Sequence, residues 1–411
     1  MKNENVKIKK EIILVLLNQI SIFAGGFIYL KILAINLSVV NFGMYSLLFS
    51  LVSMLSLFIF GPINQTVLRF GCNKNEGKEL FLFFIIIVTI VIMLSMPSYF
   101  IKFEITGIPS ALIFLAMFTT IIRSIQSFLD GYFNSIRERL YSLILTVTEL
   151  FFRIFIVFLF SLEELTPQKA LISMVISSII AIVINLFFSY KKINFFSNNV
   201  LDFICFRKYF KYTLTFTIIS GIAALCNYSD RWMINLLLDA KDVGYYSAVF
   251  QISVAPLILL SMFMTQYLSP LIFNGTIEDK KVNYFIYSSI YAFFVLLIVF
   301  FYYCFSDLII ICLLSDKYLS QSWLLFSITI SLSPFYMANI FFIKLQKEST
   351  QKKIIIAWVV RVISYFVFLY FALTAFGLKG VVIANGVGAT IFLIMTIYIF
   401  NKQFKVNYAK G

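Results

Sequence analysis

Runs of about 20 apolar residues, separated by short polar connections, fill this chain from one end to the other. A helix of that length crosses the hydrocarbon core of a bilayer. With 61% hydrophobic and only 13% charged residues, the 411-residue chain also has too little polar surface to cover a water-soluble fold. We therefore predict an all-α polytopic membrane protein. Its twelve predicted spans lie near residues 11–35, 43–69, 79–101, 108–132, 139–161, 168–190, 210–238, 244–272, 283–305, 321–344, 353–376 and 379–401.

The residue types exclude several functions. The chain has no histidine, the usual side chain for proton transfer and zinc binding near neutral pH, so catalysis based on His or zinc is excluded. The five cysteines are an odd number without CxxC spacing, and we expect them to be free packing residues. The net charge of +14 comes from basic residues in the connections, which favours anionic lipid headgroups over nucleic acid. We expect no metal, no cofactor and no nucleic-acid partner.

The basic residues also predict the orientation in the membrane. Only five Lys or Arg residues fall in one alternate set of connections, and most of the 33 fall in the other set or at the termini. Because Lys and Arg concentrate on the cytoplasmic side, we expect both termini to be cytoplasmic. No outer connection exceeds about 15 residues, which leaves no room for a soluble catalytic domain, and we expect a protein that is not an enzyme. The longest, Ser306 to Ser320, is predicted to hold a short interfacial helix.

A short motif occurs twice, 201 residues apart. Leu37, Gly43, Tyr45, Ser46 and Phe49 recur as Leu238, Gly244, Tyr246, Ser247 and Phe250. A repeat of half the chain indicates duplication, and it predicts two six-helix bundles, residues 1–200 and 201–411. Six spans per half give both halves the same orientation, so we expect parallel repeats with a substrate path between them. Basic and aromatic residues near the joint, around Arg207 to Lys211, are typical of an interfacial segment.

The second copy of the motif also carries a resemblance to a known family. Asp230 and Arg231 lie late in one predicted span, and a loop leads to Val243, Gly244, Tyr245, Tyr246 and Ser247 at the start of the next. This arrangement resembles bacterial polysaccharide transporters, the Wzx-type flippases of lipid-linked oligosaccharides such as O-antigen units. These belong to the multidrug/oligosaccharidyl-lipid/polysaccharide (MOP) exporter superfamily. The order of apolar segments agrees with that family along the whole chain.

The resemblance implies a MATE-like fold with twelve or fourteen spans and a cationic central cavity. Its implied cargo is undecaprenyl-diphosphate carrying an oligosaccharide repeat unit. The flippase moves this lipid from the inner to the outer leaflet of the bacterial cytoplasmic (inner) membrane, for surface polysaccharide or lipopolysaccharide synthesis. The implied partners are membrane lipids, a polysaccharide polymerase and chain-length machinery. Transport in related flippases is thought to be coupled to an inward ion gradient.

Charged residues inside the predicted spans point to the same kind of cargo. A charge near a helix centre costs about 2.5–3.5 kcal/mol on insertion scales, so such residues usually face a bundle interior or an aqueous cavity. The cations outnumber the carboxylates, and guanidinium groups bind diphosphates in bidentate fashion, so an anionic substrate is expected. The predicted substrate-binding residues are Arg123, Arg361, Arg153, Arg231 and Lys31, and the carboxylates are Glu149 and Asp230.

Helical spacing predicts which charges are already neutralised. Glu149 and Arg153 are four residues apart and share a face, so they form either a structural ion pair or part of the site. Asp230 and Arg231 are adjacent and about 100° apart around the helix, so we expect each to find a partner elsewhere, either in substrate or on another helix. As the only carboxylates in the middle of spans, Glu149 and Asp230 are the predicted coupling residues for H+ or Na+.

Arg123 and Arg361 have no carboxylate three or four residues away, which makes them the best ligand candidates. The alternative is a cross-helix ion pair with Glu149, Asp130 or Asp230. Arg361 is placed to stack on Trp358. Lys31 lies near the outer edge of its span, where its alternative role is to extend to the headgroups.

Uncharged features of the spans add two expectations. Asn18, Gln19, Asn64 and Gln65 in the first two spans either bind a sugar or join helices through hydrogen bonds. Glycine and proline predict helix bends that alternating access could use. These positions are Gly25, Gly26, Gly61, Pro62, Pro256, Pro270 and Pro334.

Two other functions remain open at this stage. A MATE-type multidrug antiporter would share the architecture, but it is expected to present carboxylates and aromatic rings to cationic cargo. A membrane polysaccharide polymerase or glycosyltransferase is expected to carry a large outer loop with catalytic residues, and the short outer connections argue against it.

Overall fold

The computed structural model describes residues 2–71, 77–100, 109–190, 203–273, 281–347 and 351–408. These residues form α-helices with short connections, and no strand occurs among them. The helices of the first half are α1 (Lys2–Asn36), α2 (Val39–Leu55), α3 (Gly61–Phe70), α4 (Gly77–Phe100), α5 (Ser110–Ser135), α6 (Arg139–Ser161) and α7 (Pro167–Ser189). The helices of the second half are α8 (Phe203–Leu237), α9 (Ala240–Phe273), α10 (Lys281–Leu313), α11 (Leu324–Lys347), α12 (Gln351–Phe376) and α13 (Leu378–Tyr408).

The predicted all-α membrane architecture is confirmed. In the described part of the chain, 11 helical segments are long and apolar enough to cross a membrane, and α2 and α3 together form one of them, Val39–Phe70. Helix α4, with the shorter apolar stretch Glu79–Ile92, occupies the place of the predicted third span. The order and approximate bounds of the twelve predicted spans therefore match the structure.

The predicted end of the ninth span coincides with a break in α10. The backbone leaves the helical region at Phe305 (φ −121°, ψ 20°), and a further helical segment follows it to Leu313. The connection predicted from Ser306 to Ser320 therefore contains a short helix, as expected, and a 3-10 helix, Asp316–Gln321, comes at its end. The interfacial position of this helix stays a prediction.

One predicted bend is present as a wide turn of backbone. A π-helical turn, Ser56–Phe60, separates α2 from α3 and leads into Gly61 and Pro62. Because proline has no N–H, the regular backbone hydrogen bonds of the helix cannot continue through it. The π-helical turn shifts the hydrogen-bond pairing by one residue at this point. By contrast, α1 runs unbroken through Gly25 and Gly26, α9 through Pro256 and Pro270, and α11 through Pro334.

The described chain forms two compact units, Met1–Tyr228 and Ser229–Gly411. The predicted domain boundary between residues 200 and 201 lies outside the described residues. The units divide within α8 because its first part packs with the first unit. There Thr213 Oγ1 lies 2.8 Å from Thr66 Oγ1, and the ring of Tyr209 lies 5.3 Å from that of Phe70.

The core of the first unit is rich in aromatic residues from α3, α4, α5 and the start of α8. The rings of Phe84 and Phe128 stack at 4.5 Å, and Phe83 and Phe206 meet edge to face at 5.2 Å. The buried residues of this core are Phe60, Ile63, Val67, Leu80, Phe83, Phe84, Phe128, Leu129, Tyr132, Phe133, Leu145, Ala181 and Tyr209. Among the cysteines whose side chains are described, Cys226, Cys304 and Cys312 form no disulfide bond, as expected.

The repeated motif has the same local structure in both units. In the first, the N–H of Asn41 donates to Ser38 Oγ at 3.2 Å, which caps the start of α2. In the second, the N–H of Asp242 donates to Asp239 Oδ1 at 2.7 Å, which caps the start of α9. Ser38 and Asp239 are separated by the same 201 residues as the motif. The repeat is therefore a repeated helix, short turn and capped helix.

In the second unit, α12 and α13 pack closely because the turn between them is very short. Gly377 adopts φ +57°, a left-handed conformation that glycine accepts without strain and that ends α12. A Cβ atom at Gly380 would lie 2.0 Å from the carbonyl oxygen of Ala372. Only a residue without a side chain fits there.

We predict that Gly380→Ala lowers the free energy of unfolding by about 1–3 kcal/mol, because a methyl group would meet backbone that cannot move aside. The matched control is Gly26→Ala, in a helix of the first unit where a Cβ would meet nothing within 4 Å. There alanine should be neutral or stabilising by up to about 1 kcal/mol. Thermal unfolding of the purified proteins in one detergent measures both. Equal midpoints for the two variants would contradict the close packing of α12 and α13.

Candidate functional site

The first unit contains a cavity of about 400 Å³ with one cationic side chain in its wall. Arg123 enters it from α5, and residues of the π-helical turn and α3 also line it. The polar lining consists of Ser53, Ser56, Asn64, Arg123, Ser124 and Ser127. The other lining residues are Phe49, Val52, Leu57, Phe60, Gly61 and Tyr228. The cavity thus combines a guanidinium group, hydroxyl groups and aromatic rings.

Arg123 is half-buried and makes no hydrogen bond or ion pair with any other described residue. It lies within electrostatic range of Glu149 and Arg153. Asp130, one alternative partner considered for it, is instead bonded to Ser142 and to Asn134, whose amide donates to Asp130 Oδ2 at 3.1 Å. The five donors of the Arg123 guanidinium therefore remain available to a ligand in the cavity.

Asn64 is held in the cavity wall by its neighbours. Its amide nitrogen donates to Ser127 Oγ at 3.1 Å, and a Cβ at Gly131 would lie only 1.8 Å from Asn64 Oδ1. Of the four uncharged polar residues considered from the sequence, Asn64 alone lines this cavity; Asn18, Gln19 and Gln65 do not.

The ion pair predicted between Glu149 and Arg153 is present in the first unit. Arg153 Nε lies 3.4 Å from Glu149 Oε1, and the two residues are 9% and 4% exposed. These two atoms attract each other as charges, but they do not form a hydrogen bond. The guanidinium of Arg153 also stacks 4.8 Å from the ring centre of Tyr29, and Tyr45 Oη donates to Tyr29 Oη at 3.3 Å. The Glu149 carboxylate and the Tyr29 ring thus both stabilise the buried Arg153 cation.

The expectation that Asp230 and Arg231 do not pair with each other is wrong. Arg231 Nη1 donates to Asp230 Oδ1 at 3.1 Å, and the N–H of Arg231 donates to the same oxygen at 2.8 Å. The 100° separation applies to the Cα–Cβ directions, but the long arginine side chain reaches back around the helix to the short carboxylate. Both residues are buried in the second unit.

The remaining oxygen of Asp230 is held by the repeated tyrosine. Tyr246 Oη donates to Asp230 Oδ2 at 2.6 Å, and the amide of Asn385 donates to Tyr246 Oη at 3.1 Å. Arg231 stacks 4.9 Å from the ring centre of Phe250, a second residue of the repeated motif. This network joins α8, α9 and α13.

Arg361 is surrounded by aromatic rings. Its guanidinium carbon lies 3.8, 5.1 and 5.5 Å from the ring centres of Phe335, Trp358 and Phe392, so the stacking predicted on Trp358 is confirmed. Arg361 is 5% exposed and belongs to the second unit, whereas the cavity described above belongs to the first. Lys31 lies on an exposed part of α1 and does not line that cavity.

Sequence reasoning missed four polar residues at these buried charges, namely Tyr29, Tyr45, Tyr246 and Asn385. A signal for two of them was present, because Tyr45 and Tyr246 occupy the same position of the repeated motif. In both units this tyrosine lies in the hydrogen-bond network next to a buried ion pair. Within the described ranges, no group of three or more His, Cys, Asp or Glu side chains is placed to hold a metal ion.

Comparison with solved structures identifies the fold. The lipid II flippase MurJ, in an inward closed conformation, is 15% identical and matches with a TM-score of 0.75 over 95% of this chain and 87% of that one. An inward-facing multidrug resistance MATE family transporter of the MOP superfamily is 14% identical, with a TM-score of 0.67 over 95% and 94%. A Vibrio cholerae MATE transporter is 13% identical, with a TM-score of 0.62 over 97% of each chain.

At the level of sequence, no curated protein matches this chain. The sequence model of the family described as polysaccharide biosynthesis protein matches residues 8–276, more than half of the chain. The match covers all of the first unit that follows residue 7, and it extends past the second copy of the repeated motif. This multi-pass membrane chain, with the fold of the MOP superfamily, therefore belongs to the polysaccharide biosynthesis protein family.

Proposed function

We propose that this chain is a flippase for undecaprenyl-diphosphate-linked oligosaccharide repeat units, which it moves from the cytoplasmic to the outer leaflet by alternating access. The observation that carries the proposal is Arg123, a cation that makes no hydrogen bond or ion pair with another described residue and that lines a cavity inside a membrane-spanning unit. A buried cation without a protein partner is costly unless a ligand or water compensates it.

The chemistry of the cavity wall suits a sugar diphosphate. A diphosphate carries about two negative charges and accepts bidentate hydrogen bonds from a guanidinium group such as that of Arg123. Serine hydroxyls and the Asn64 amide also line the cavity and can hydrogen-bond sugar hydroxyls. A volume of about 400 Å³ is within the range of small-molecule sites, so the cavity suits the diphosphate end of the cargo rather than a whole repeat unit. The isoprenoid tail would stay in lipid.

The buried charges favour an anion over a cation as cargo. Both carboxylates in the middle of spans, Glu149 and Asp230, are engaged by arginine. A MATE-type multidrug antiporter shares the fold, and it remains the alternative function. It would need a carboxylate available to cationic cargo, and these two are already paired.

The setting that goes with this function is also a proposal. The chain would lie in the bacterial cytoplasmic membrane with both termini cytoplasmic, as the distribution of Lys and Arg predicts. It would supply repeat units to a polysaccharide polymerase and its chain-length machinery, in O-antigen or another surface polysaccharide. Glu149 and Asp230 remain the proposed coupling residues for H+ or Na+.

We predict that Arg123→Gln lowers translocation about 10- to 100-fold, because a charge-assisted contact contributes about 1.5–3 kcal/mol. Arg123→Lys should retain part of the activity, since the charge remains but the bidentate fork is lost. The measurement is the accessibility of a lipid-linked oligosaccharide on the two sides of vesicles that contain the purified protein. A cationic dye should not be exported by the parent protein.

The matched control is Lys31→Gln, which removes one exposed cation from the same unit and should leave translocation within about twofold of the parent. If both variants kept full activity, Arg123 would not belong to the site. If Lys31→Gln lost as much activity as Arg123→Gln, net charge rather than the cavity would explain the effect. Export of the dye together with an unchanged lipid distribution would support the antiporter instead.

Arg361 is tested by Arg361→Met, which keeps most of the side-chain volume between the three rings. As a substrate ligand, Arg361 should give reduced translocation with an unchanged thermal midpoint. Unchanged translocation would limit Arg361 to a packing role.

A separate prediction concerns coupling at Asp230. Asp230→Asn alone removes the negative half of a buried pair and should destabilise the protein by about 3–5 kcal/mol. Asp230→Asn combined with Arg231→Gln removes both charges and should restore much of that stability. We expect the double variant to translocate without stimulation by an imposed H+ or Na+ gradient, whereas the parent is stimulated by one of them. A double variant that still responds to the gradient would exclude Asp230 as the coupling residue.

A further inference from the structure

The end of α3 and the start of α8 bring two exposed cations onto shared aromatic rings. The guanidinium carbon of Arg69 lies 4.6 Å from the ring centre of Tyr212 and 5.6 Å from that of Phe70. Lys208 Nζ lies 4.3 Å from the ring centre of Phe70. Stacking of this kind stabilises each cation, and both lie next to the ring of Phe70. We call Arg69, Phe70, Lys208 and Tyr212 the basic platform.

The basic platform is held by buried contacts. The ring of Phe70 lies 5.3 Å from that of Tyr209 and 5.5 Å from that of Tyr212. Tyr209 is completely buried, and its hydroxyl donates to Glu79 Oε2 at 3.2 Å. The rings are therefore positioned by α3, α4 and α8 together, so the two cations are held at a fixed place on the surface.

An apolar ridge on α8 begins beside the basic platform. Phe210, Leu214 and Ile218 are 54%, 53% and 53% exposed, and their spacing of four residues places them along one face of the helix. Arg207 and Lys211 are exposed on either side of Phe210 in sequence. These cations lie at the end of a membrane-spanning helix, next to an exposed apolar ridge. A phospholipid has the matching parts, a charged headgroup and apolar acyl chains.

We propose that the basic platform binds the headgroup phosphate of an acidic phospholipid, whose acyl chains lie along the ridge of Phe210, Leu214 and Ile218. A phosphate placed next to Arg69 and Lys208 can accept charge-assisted hydrogen bonds from both side chains. Arg207 and Lys211 add attraction to a negatively charged membrane surface. The site is independent of the cavity around Arg123, and it does not depend on the proposed cargo.

The test is the thermal unfolding of the purified full-length protein in neutral detergent, titrated with phosphatidylglycerol. The parent should be stabilised at low lipid concentration. The variant with both Arg69→Gln and Lys208→Gln should need about 25-fold more phosphatidylglycerol for the same rise of the midpoint, since each cation near an anionic lipid surface contributes about a factor of five. Native mass spectrometry of retained phosphatidylglycerol provides a second readout.

The matched control removes two cations elsewhere, Lys317→Gln with Lys379→Gln; Lys379 also stacks on a ring, 5.9 Å from the centre of Trp323. It should titrate like the parent. The variant with Arg69→Lys and Lys208→Arg keeps both charges and should also titrate like the parent. This second variant keeps the inference testable if the double glutamine variant folds poorly.

Three results would overturn the inference. The first is an equal response of the platform variant and the control variant. The second is stabilisation by phosphatidylcholine at the same concentrations as phosphatidylglycerol, which would indicate an unselective lipid surface. The third is equal stabilisation by inorganic phosphate, which would indicate a simple anion site rather than a lipid site.

Discussion

Compensation of buried positive charge is the constraint on which this structure depends. A cation within a membrane-spanning helix is stable only with a counter-charge, an aromatic face or access to water. Arg153 and Arg231 each have a carboxylate and a ring, and Arg361 has three rings. Arg123 differs from them because, within the described part of the chain, it faces a cavity in which water or a ligand can compensate its charge. The same requirement that holds the helices together therefore also marks the place where an anionic ligand can enter.

The two units meet this constraint with the same sequence motif. In each, a polar side chain caps the helix that follows a short turn, and a tyrosine about two turns further along lies beside a buried ion pair. The pairs themselves are built differently. Glu149 and Arg153 share a face of α6, whereas Asp230 and Arg231 are neighbours joined by a folded-back side chain. The scaffold around the charges is thus more alike in the two units than the charges themselves.

Much of the fold could be predicted from the sequence because hydropathy in a bilayer is a strong and local signal. The helices, their order and most of their ends follow from apolar length alone. The site was less predictable, since the wall around Arg123 comes from residues 49–228 on separate elements, and spacing within one helix cannot reveal it. The pairing of Asp230 with Arg231 was missed because helical geometry describes where a side chain starts and not how far arginine reaches.

The π-helical turn Ser56–Phe60 determines which side chains of α3 face the cavity. An α-helix advances about 100° per residue, so a turn that holds one additional residue rotates everything after it relative to a regular helix. Asn64 faces Ser127 and Gly131 only in this rotated register. The composition of this wall is therefore determined by backbone geometry as well as by side chains. With a regular α-helical turn in place of Ser56–Phe60, Ile63 would lie where Asn64 now lies, although the sequence would be unchanged.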